Sequence, residues 1–211
     1  GTDHAYLPAW LLQNGRIPSA IASDVREGPL SRARATARAC GCFERMSFRL
    51  CDGLSGIAPE EVDALVIAGM GGETIANILE AAPWVKGKNF PIILQPMSTQ
   101  AELRGWLWRN GFLCLREKTV LEGETLYSII LARQGGAVPM TPAEEWAGRQ
   151  YPGMEDPLRG LLLDHLLGRV RRALDGMARS RAPAEARRRE LEQVLEGLME
   201  MRKEWDAWQQ R

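Results

Sequence analysis

A regular alternation between two hydrophobic periods runs through the first 133 residues and constrains the fold more than any other feature. Short apolar runs alternate with longer segments in which apolar residues recur every three or four positions. Runs of the first kind predict strands, and segments of the second kind predict helices. Strands that alternate with helices form a parallel sheet with helices on both faces. The sequence therefore predicts an α/β domain over residues 1–134.

The individual elements follow from the same pattern. Helices are predicted at residues 5–13, 28–39, 73–81 and 100–110. Strands are predicted at residues 20–23, 46–50, 62–68, 90–94, 112–121 and 125–133. The last two strands form a hairpin around Glu122-Gly123-Glu124. The opening Gly1-Thr2-Asp3-His4 is typical of a turn that follows a strand, so we expect a first strand that this chain lacks.

The C-terminal part has a different pattern. Residues 135–156 are rich in glycine, proline and acidic residues and are predicted to be a linker. Residues 157–211 carry two apolar stripes spaced by three and four positions, which is typical of coiled-coil helices. The first stripe comprises Leu163, Leu166, Val170, Ala173 and Met177, and the second comprises Leu191, Val194, Leu198, Met201, Trp205 and Trp208. With Ser180-Arg181-Ala182-Pro183 between them, the stripes predict an antiparallel helical hairpin.

Composition and charge exclude several classes of protein. No apolar run reaches the roughly 18 residues that a membrane-spanning helix needs. Cys40, Cys42, Cys51 and Cys114 form no CxxC pair, so we expect free thiols in a reducing cytoplasm and no metal site. The net charge is zero, but residues 1–156 carry −3 and residues 157–211 carry +3. A basic segment on an acidic body is a weak indication of a polyanionic partner.

Candidate binding residues follow the predicted strands, where open α/β sheets bind ligands. Asp24 follows the strand predicted at residues 20–23, the second strand of the expected fold, and can accept hydrogen bonds from ribose hydroxyls, or it can cap the next helix. Asp52-Gly53 can contact an adenine or form an ordinary turn. The three glycines of Ala68-Gly69-Met70-Gly71-Gly72 indicate positive φ or a ligand against bare backbone. We expect residues 1–4, Asp24, Asp52-Gly53 and residues 69–72 to converge.

The sequence argues against nucleotide hydrolysis and against a serine nucleophile. The glycine-rich segment lacks the GK[ST] ending of a phosphate loop, and no GxSxG is present. His4, beside the first turn, is an open candidate for a functional role, whereas His165 is expected to pack beside an apolar stripe. Tyr6 can pack in the core or against its helix, or it can stack on a base.

These motifs resemble a known family. Gly1-Thr2-Asp3-His4-Ala5-Tyr6-Leu7-Pro8, Asp52-Gly53-Leu54, Ala68-Gly69-Met70-Gly71-Gly72 and Leu94-Gln95-Pro96 are similar to the bacterial tRNA (adenine-N1)-methyltransferase TrmK family, which acts on adenine 22 of tRNA. The resemblance is specific in residues 1–133 and loose beyond about residue 135. The family usually has Asp-Ile before the first glycine, and this chain lacks both residues.

The resemblance implies a class I, Rossmann-like, S-adenosylmethionine-dependent domain with a coiled-coil appendage. By position, the cofactor-binding residues would be Gly1, Asp3, His4, Asp24, Asp52, Gly53, Gly69 and Gly71. Tyr6, Gly69 and Met70 would form the catalytic entrance for the base. The candidate RNA-binding residues come from charge, not from the resemblance: most flank the turn of the predicted hairpin, where they can bind phosphates or form an ordinary solvated face. They are Arg26, Arg179, Arg181, Arg187, Arg188 and Arg189.

The chemistry is consistent with that activity. N1 of adenine is a neutral lone pair that can attack a sulfonium methyl group without prior removal of a proton, so positioning matters more than acid–base catalysis. We expect tRNA as the partner, a monomer, no membrane, no metal and a cytoplasmic location. Two alternatives stay open: a class I methyltransferase for a small molecule, and a non-catalytic RNA-binding protein on a Rossmann-like body.

Overall fold

A computed structural model describes residues 1–179 and 185–210. The helices are α1 (Tyr6–Gln13), α2 (Glu27–Ala39), α3 (Gly72–Glu80), α4 (Gln100–Arg109), α5 (Pro142–Ala147), α6 (Arg159–Ala178) and α7 (Glu185–Gln209). The strands are β1 (Ala20–Asp24), β2 (Met46–Leu50), β3 (Leu65–Gly71), β4 (Ile92–Ser98), β5 (Phe112–Glu122) and β6 (Thr125–Gln134). The predicted alternation of helices and strands is confirmed.

The chain divides into two compact units. Unit 1 contains Gly1–Asp63 and Asn77–Gly87, and unit 2 contains Ala64–Ala76 and Lys88–Arg211. In unit 1, β1 and β2 form a parallel pair in which Asp24 lies opposite Leu50. The small side chains of Ala22, Ala33 and Ala37 let α2 pack closely on this pair, and α1 adds Leu12 to the same cluster.

Unit 2 is built on a four-stranded sheet in the order β3-β4-β6-β5. β3 and β4 are parallel, and β6 runs antiparallel to both of its neighbours. The predicted β5–β6 hairpin is confirmed, with Glu122 paired to Thr125 at its tip. β3 begins at Leu65, three residues later than predicted, where its N–H bonds to the Pro91 carbonyl.

The predicted helical hairpin is confirmed, with one correction to its first stripe. Leu163, Leu166 and Val170 of α6 are buried against α7, but Ala173 is exposed and Leu174 packs in its place. The alanine side chain is shorter than that of leucine and buries less apolar surface, so Leu174 and not Ala173 fills the space in this cluster. The stripe of α7 is buried as predicted from Leu191 to Trp205.

The segment predicted to be a linker contains α5. Ala143 and Ala147 of α5 are buried in the same apolar cluster as α6 and α7. Thr141 caps α5 because its hydroxyl oxygen accepts a hydrogen bond from the Glu144 N–H, and the Thr141 N–H donates in turn to the Glu144 carboxylate. This capping box starts the helix, so the segment packs as part of unit 2 instead of running freely between two domains.

Two buried arginines attach the carboxyl end of α5 to the rest of unit 2. Arg104, on α4, forms an ion pair with Glu117 at 2.8 Å and donates to the carbonyls of Glu145 and Trp146 at 2.9 Å each. Arg159, on α6, donates to the carbonyls of Ala147 and Gly148. Both arginines are 1% exposed.

All four cysteines are free thiols. Burial, with a smaller effect from the Glu117 carboxylate, raises the pKa of Cys114 to about 12. Cys114 is therefore a neutral thiol at physiological pH.

We expect Arg104→Met to lower the free energy of unfolding by about 3–5 kcal/mol, because it leaves the largely buried Glu117 carboxylate and two helix carbonyls without their partner. Arg109→Met is the matched control, since Arg109 contacts Glu145 from the exposed side of α4 and should lose about 1 kcal/mol or less. Urea denaturation followed by circular dichroism measures both. Equal, small losses would mean that the Arg104 contacts contribute little.

Candidate functional site

Asp24 is the last residue of β1 and the most buried carboxylate among the predicted site residues, at 7% exposed. Its Oδ1 accepts a hydrogen bond from the Arg26 N–H at 3.0 Å, which turns the chain between β1 and α2. The N-cap of α2 is Arg26, which makes no side-chain cap bond. Asp24 is therefore not the helix cap, and the alternative role suggested by its spacing is wrong.

The N-terminal loop lies at the carboxyl end of β1. The Thr2 N–H donates to the Ser23 carbonyl at 2.9 Å. Burial lowers the pKa of the Gly1 amino group while the charge of Asp24 raises it, so these two groups are close enough to interact. Asp3 and Ala5 have positive φ angles of 42° and 54°. Left-handed backbone at two non-glycine residues is a strain often found at functional sites.

Arg32 of α2 holds the side chain of Asp3, with Nε 3.0 Å from Oδ1. This hydrogen bond lowers the pKa of the exposed Asp3 carboxyl group below its usual value. The His4 ring stacks on the Tyr6 ring with centroids 5.0 Å apart and planes 3° apart. Tyr6 itself is 67% exposed, so the alternative that it packs in the core is wrong.

The turn after β2 meets the same end of the strand pair. The Cys51 N–H donates to the Asp24 carbonyl at 3.0 Å, and the Ser23 hydroxyl is 3.5 Å from the Gly53 carbonyl. Gly53 has a φ of 54°, and an added Cβ would lie 3.2 Å from the Ile78 side chain. Asp52 is exposed. The structure thus brings together the predicted residues of unit 1: Gly1, Asp3, His4, Asp24, Asp52 and Gly53.

An apolar side chain at this end of unit 1 was missed by the sequence analysis. Val25 directly follows Asp24 and is 57% exposed. An exposed valine beside a buried carboxylate offers an apolar surface next to a polar anchor. Its place immediately after a candidate ribose-binding residue is the sequence signal that could have identified it.

The glycine-rich segment of unit 2 is part of a strand, not the loop that the sequence predicts. Ala68 pairs with Gln95 and Met70 with Pro96, so Gly69 is the extra residue of a β-bulge. Gly69 has a φ of 74°, and its N–H donates to the Gln95 side chain at 2.8 Å. Nothing lies within 4 Å of the position where a Cβ of Gly69 would be. The Gly69 backbone is therefore open to a ligand on that side.

Gly72, the first residue of α3, packs directly on the backbone after β4. A Cβ there would lie 2.3 Å from the Thr99 carbonyl oxygen, closer than any side chain can approach. The Glu73 N–H donates to the Thr99 hydroxyl at 3.2 Å, and Thr99 has a φ of 48°. These contacts fix the β3–α3 turn against the β4–α4 turn.

The predicted site residues are divided between the units. Gly69, Met70 and Gly71 belong to unit 2, and the other cofactor-binding candidates belong to unit 1. The convergence of the two sets stays a prediction.

Those predicted RNA-binding arginines that the structure describes lie on the surface, and two of these form ion pairs. Arg187 contacts Glu190 at 2.7 Å, and Arg188 contacts Glu192 at 2.9 Å. Arg26 and Arg179 are exposed, and Arg181 lies outside the described residues. His165 is exposed as well, so its expected packing role is wrong.

The described residues show neither a membrane-spanning helix nor a cluster of metal-binding side chains. No helix in that part of the chain is long and apolar enough to cross a membrane. Within residues 1–179 and 185–210, no group of three or more His, Cys, Asp or Glu side chains could hold a metal ion.

The family described as a methyltransferase domain matches residues 1–130, and the chain belongs to this family. A curated relative from Bacillus subtilis, named tRNA (adenine(22)-N(1))-methyltransferase, is 36% identical over 135 residues, which are 64% of this chain and 57% of the relative. The chain thus spans less than two thirds of the length of the curated relatives it matches.

Solved structures agree with the sequence matches. The crystal structure of B. subtilis TrmK has a TM-score of 0.75 and 26% identity, covering 99% of this chain and 89% of that chain. A candidate tRNA (m1A22) methyltransferase from Streptococcus pneumoniae, in complex with S-adenosyl-L-methionine, has a TM-score of 0.80 and 29% identity, covering 96% and 89%. The predicted resemblance to the TrmK family and the Rossmann-like fold are confirmed.

We expect Gly72→Ala to lower the free energy of unfolding by about 1–3 kcal/mol, because the added methyl group overlaps the Thr99 carbonyl. The control is Gly176→Ala in α6, where a Cβ meets nothing within 4 Å and alanine should stabilise the helix by up to about 1 kcal/mol. Thermal denaturation of both variants tests this difference. Equal stability of Gly72→Ala and the unsubstituted protein would contradict the close contact.

Proposed function

We propose that this chain transfers a methyl group from S-adenosylmethionine to N1 of an adenine in tRNA, at position 22. The observation that carries the proposal is the nearly buried Asp24 at the end of β1, with the Gly1–Thr2–Asp3–His4 turn bonded beside it. An acidic residue in this place is suited to accept hydrogen bonds from ribose hydroxyls. The relatives named above support the substrate and the position.

The residues of unit 1 fit the nucleoside part of this cofactor. Oδ1 of Asp24 already accepts the Arg26 N–H, and its carboxylate keeps further lone pairs for ribose hydroxyls. Val25 offers an apolar surface for the adenine ring, and Asp52 with Gly53 would contact the adenine edge. Asp3 shapes the loop through Arg32, while Gly1 and His4 would line the cofactor.

The residues of unit 2 supply bare backbone. Gly69, Met70 and Gly71 would border the methionine part of the cofactor and the entrance for the base. Glycine at a bulge leaves room for close approach of a ligand to the main chain.

Tyr6 would receive the target base. Its exposed ring is held flat against His4, so little side-chain freedom remains to be lost on stacking. N1 lies on the Watson–Crick edge, so the adenine must leave its helical stack before reaction, and an ordered aromatic ring compensates part of that cost.

The protein's own contribution to the reaction would be orientation. When bound, S-adenosylmethionine supplies a methyl group on a sulfonium sulfur, whose transfer to N1 leaves a neutral thioether and a cationic base. Adenine N1 carries no proton, so the protein needs no general base for this step. Backbone carbonyls of residues 69–71 and nearby carboxylates can stabilise the positive charge that develops on the base.

The proposal is tested by incubating the protein with S-adenosylmethionine and bulk tRNA and mapping reverse-transcription stops, because N1 methylation blocks base pairing. We expect a new stop at adenine 22 and none in a tRNA with guanine at that position. Methylation of free adenosine at a comparable rate would instead support the small-molecule alternative. S-adenosylmethionine binding without transfer to any tRNA would contradict the proposed activity.

We propose tRNA as the partner, a monomer as the active form, and the cytoplasm as the location.

We expect Asp24→Ala to weaken S-adenosylmethionine binding by about 1.5–3 kcal/mol, the contribution of hydrogen bonds to a charged acceptor. Asp24→Asn keeps an oxygen for the Arg26 N–H but loses the charge, so it should also weaken binding while leaving the fold stable. Isothermal titration calorimetry measures both variants. If Asp24→Asn bound the cofactor as tightly as the unsubstituted protein, the role of Asp24 would be limited to forming the turn between β1 and α2.

Replacing Arg187, Arg188 and Arg189 with Gln should raise the tRNA dissociation constant and flatten its salt dependence, by about 0.7–0.9 in slope for each lost phosphate contact. The ion pairs with Glu190 and Glu192 are exposed and weak, so the arginines can exchange them for phosphates. Cofactor affinity should not change.

The matched control is the double variant Glu190→Gln, Glu192→Gln, which frees the same arginines and should bind tRNA at least as tightly. Filter binding at several salt concentrations compares the variants. An unchanged salt slope in the triple arginine variant would exclude this end of the hairpin as the phosphate-binding surface.

A further inference from the structure

The side-chain amide of Gln95 lies beside the glycine-rich end of β3 and is held in one orientation. It lies on β4 opposite Ala68, and its Oε1 accepts the Gly69 N–H at 2.8 Å. Gly69 is the bulged residue, so its N–H takes no part in the ladder and is bonded to this side chain instead.

This bond determines which way the amide faces. An N–H donor can bond to the oxygen of a glutamine side chain but not to its NH2 group. Oε1 must therefore face Gly69, and Nε2 must face the other way. Within the described residues, the contacts of Nε2 are weak ones, to the Pro96 carbonyl and the Met97 sulfur at 3.4 Å each. The amide keeps one lone pair on Oε1 and N–H donor capacity on Nε2.

The surrounding backbone is held in place. The Thr99 hydroxyl accepts the Glu73 N–H, and Gly72 packs against the Thr99 carbonyl. Because both turns next to Gln95 are fixed in this way, the amide cannot reorient without breaking its bond to Gly69.

We propose that Gln95 recognises the target adenine through its N6 and N7 atoms. The free lone pair of Oε1 would accept the N6 amino group, and Nε2 would donate to N7, the pairing by which Asn and Gln recognise adenine in nucleic acids. This contact uses the Hoogsteen edge and leaves N1 free to react. The inference rests on the proposed function and assigns to Gln95 the choice of base.

In the proposed contact, the fixed Gln95 amide would bind adenine in preference to guanine. Guanine carries an oxygen at position 6, which would face Oε1 with no hydrogen between them. Turning the amide over would pair Nε2 with that oxygen but would leave the Gly69 N–H facing an NH2 group. With guanine as the base, a hydrogen bond is therefore lost in either orientation of the Gln95 amide.

The test compares tRNA carrying adenosine at the target position with tRNA carrying 7-deazaadenosine, which lacks the N7 acceptor. For the unsubstituted protein we expect kcat/KM to fall roughly fivefold to tenfold on the deaza substrate, the effect of one lost hydrogen bond. Gln95→Glu keeps an oxygen for Gly69 but has no N–H to donate, so it should be slower on adenosine and lose nothing further on 7-deazaadenosine. Gln100→Glu, the same change at the start of α4, is the control and should retain the full difference between substrates.

A second measurement separates recognition of the base from support of the backbone. Amide hydrogen exchange at Gly69 should stay slow in Gln95→Glu and become fast in Gln95→Leu. The proposal is overturned if 7-deazaadenosine slows Gln95→Glu as much as the unsubstituted protein, or slows neither. Absence of methylation of ordinary tRNA by the unsubstituted protein would instead overturn the proposed function, and this inference with it.

Discussion

The architecture of unit 2 depends on two buried guanidinium groups that bind the carboxyl end of one short helix. The last carbonyls of any helix lack partners within it and carry partial negative charge. Arg104 of α4 and Arg159 of α6 satisfy those of α5. Burial, the largest influence, lowers the pKa of Arg159 to about 10, which still leaves it charged at neutral pH. Buried charges are tolerated because the carbonyls and Glu117 replace the lost water.

This arrangement connects the helical hairpin to the sheet. Asp156, just before α6, accepts the Leu158 N–H at 3.2 Å and the Thr119 hydroxyl of β5 at 2.7 Å. On the other side, Gly197 lets α7 approach α5 so closely that an added Cβ would lie 2.6 Å from Cβ of Ala143. The hairpin therefore starts from a fixed point on unit 2. A surface presented by α6 and α7 has a defined position relative to the sheet that carries Gly69 and Gln95.

Periodicity predicted nearly all of the helices and strands, because each long element buries one continuous face. It failed where burial is decided by a partner distant in sequence. Ala173 and Leu174 both fit a coiled-coil spacing, and only the facing helix selects Leu174. The helix α5 is too short for periodicity, although Thr141 and Glu144 form a capping box that the sequence displays. Motifs predicted the grouping of Asp24 with the N-terminal turn, but not the bulge at Gly69, since a bulge depends on the register with β4.

Among the described residues, the largest pKa shifts caused by burial lie away from the predicted site. In the described part of the chain, the pKa values that burial shifts furthest belong to Cys114 and Arg159, which lie near the α5 contacts in unit 2. At the predicted site, the shifted carboxyl group is Asp3, whose exposed side chain is bound by Arg32. The proposed reaction at a neutral ring nitrogen requires no proton transfer, so it requires no general base. The constraints appear instead in the backbone: left-handed residues at Asp3 and Ala5, a bulge at Gly69, and a glutamine whose orientation one main-chain N–H determines.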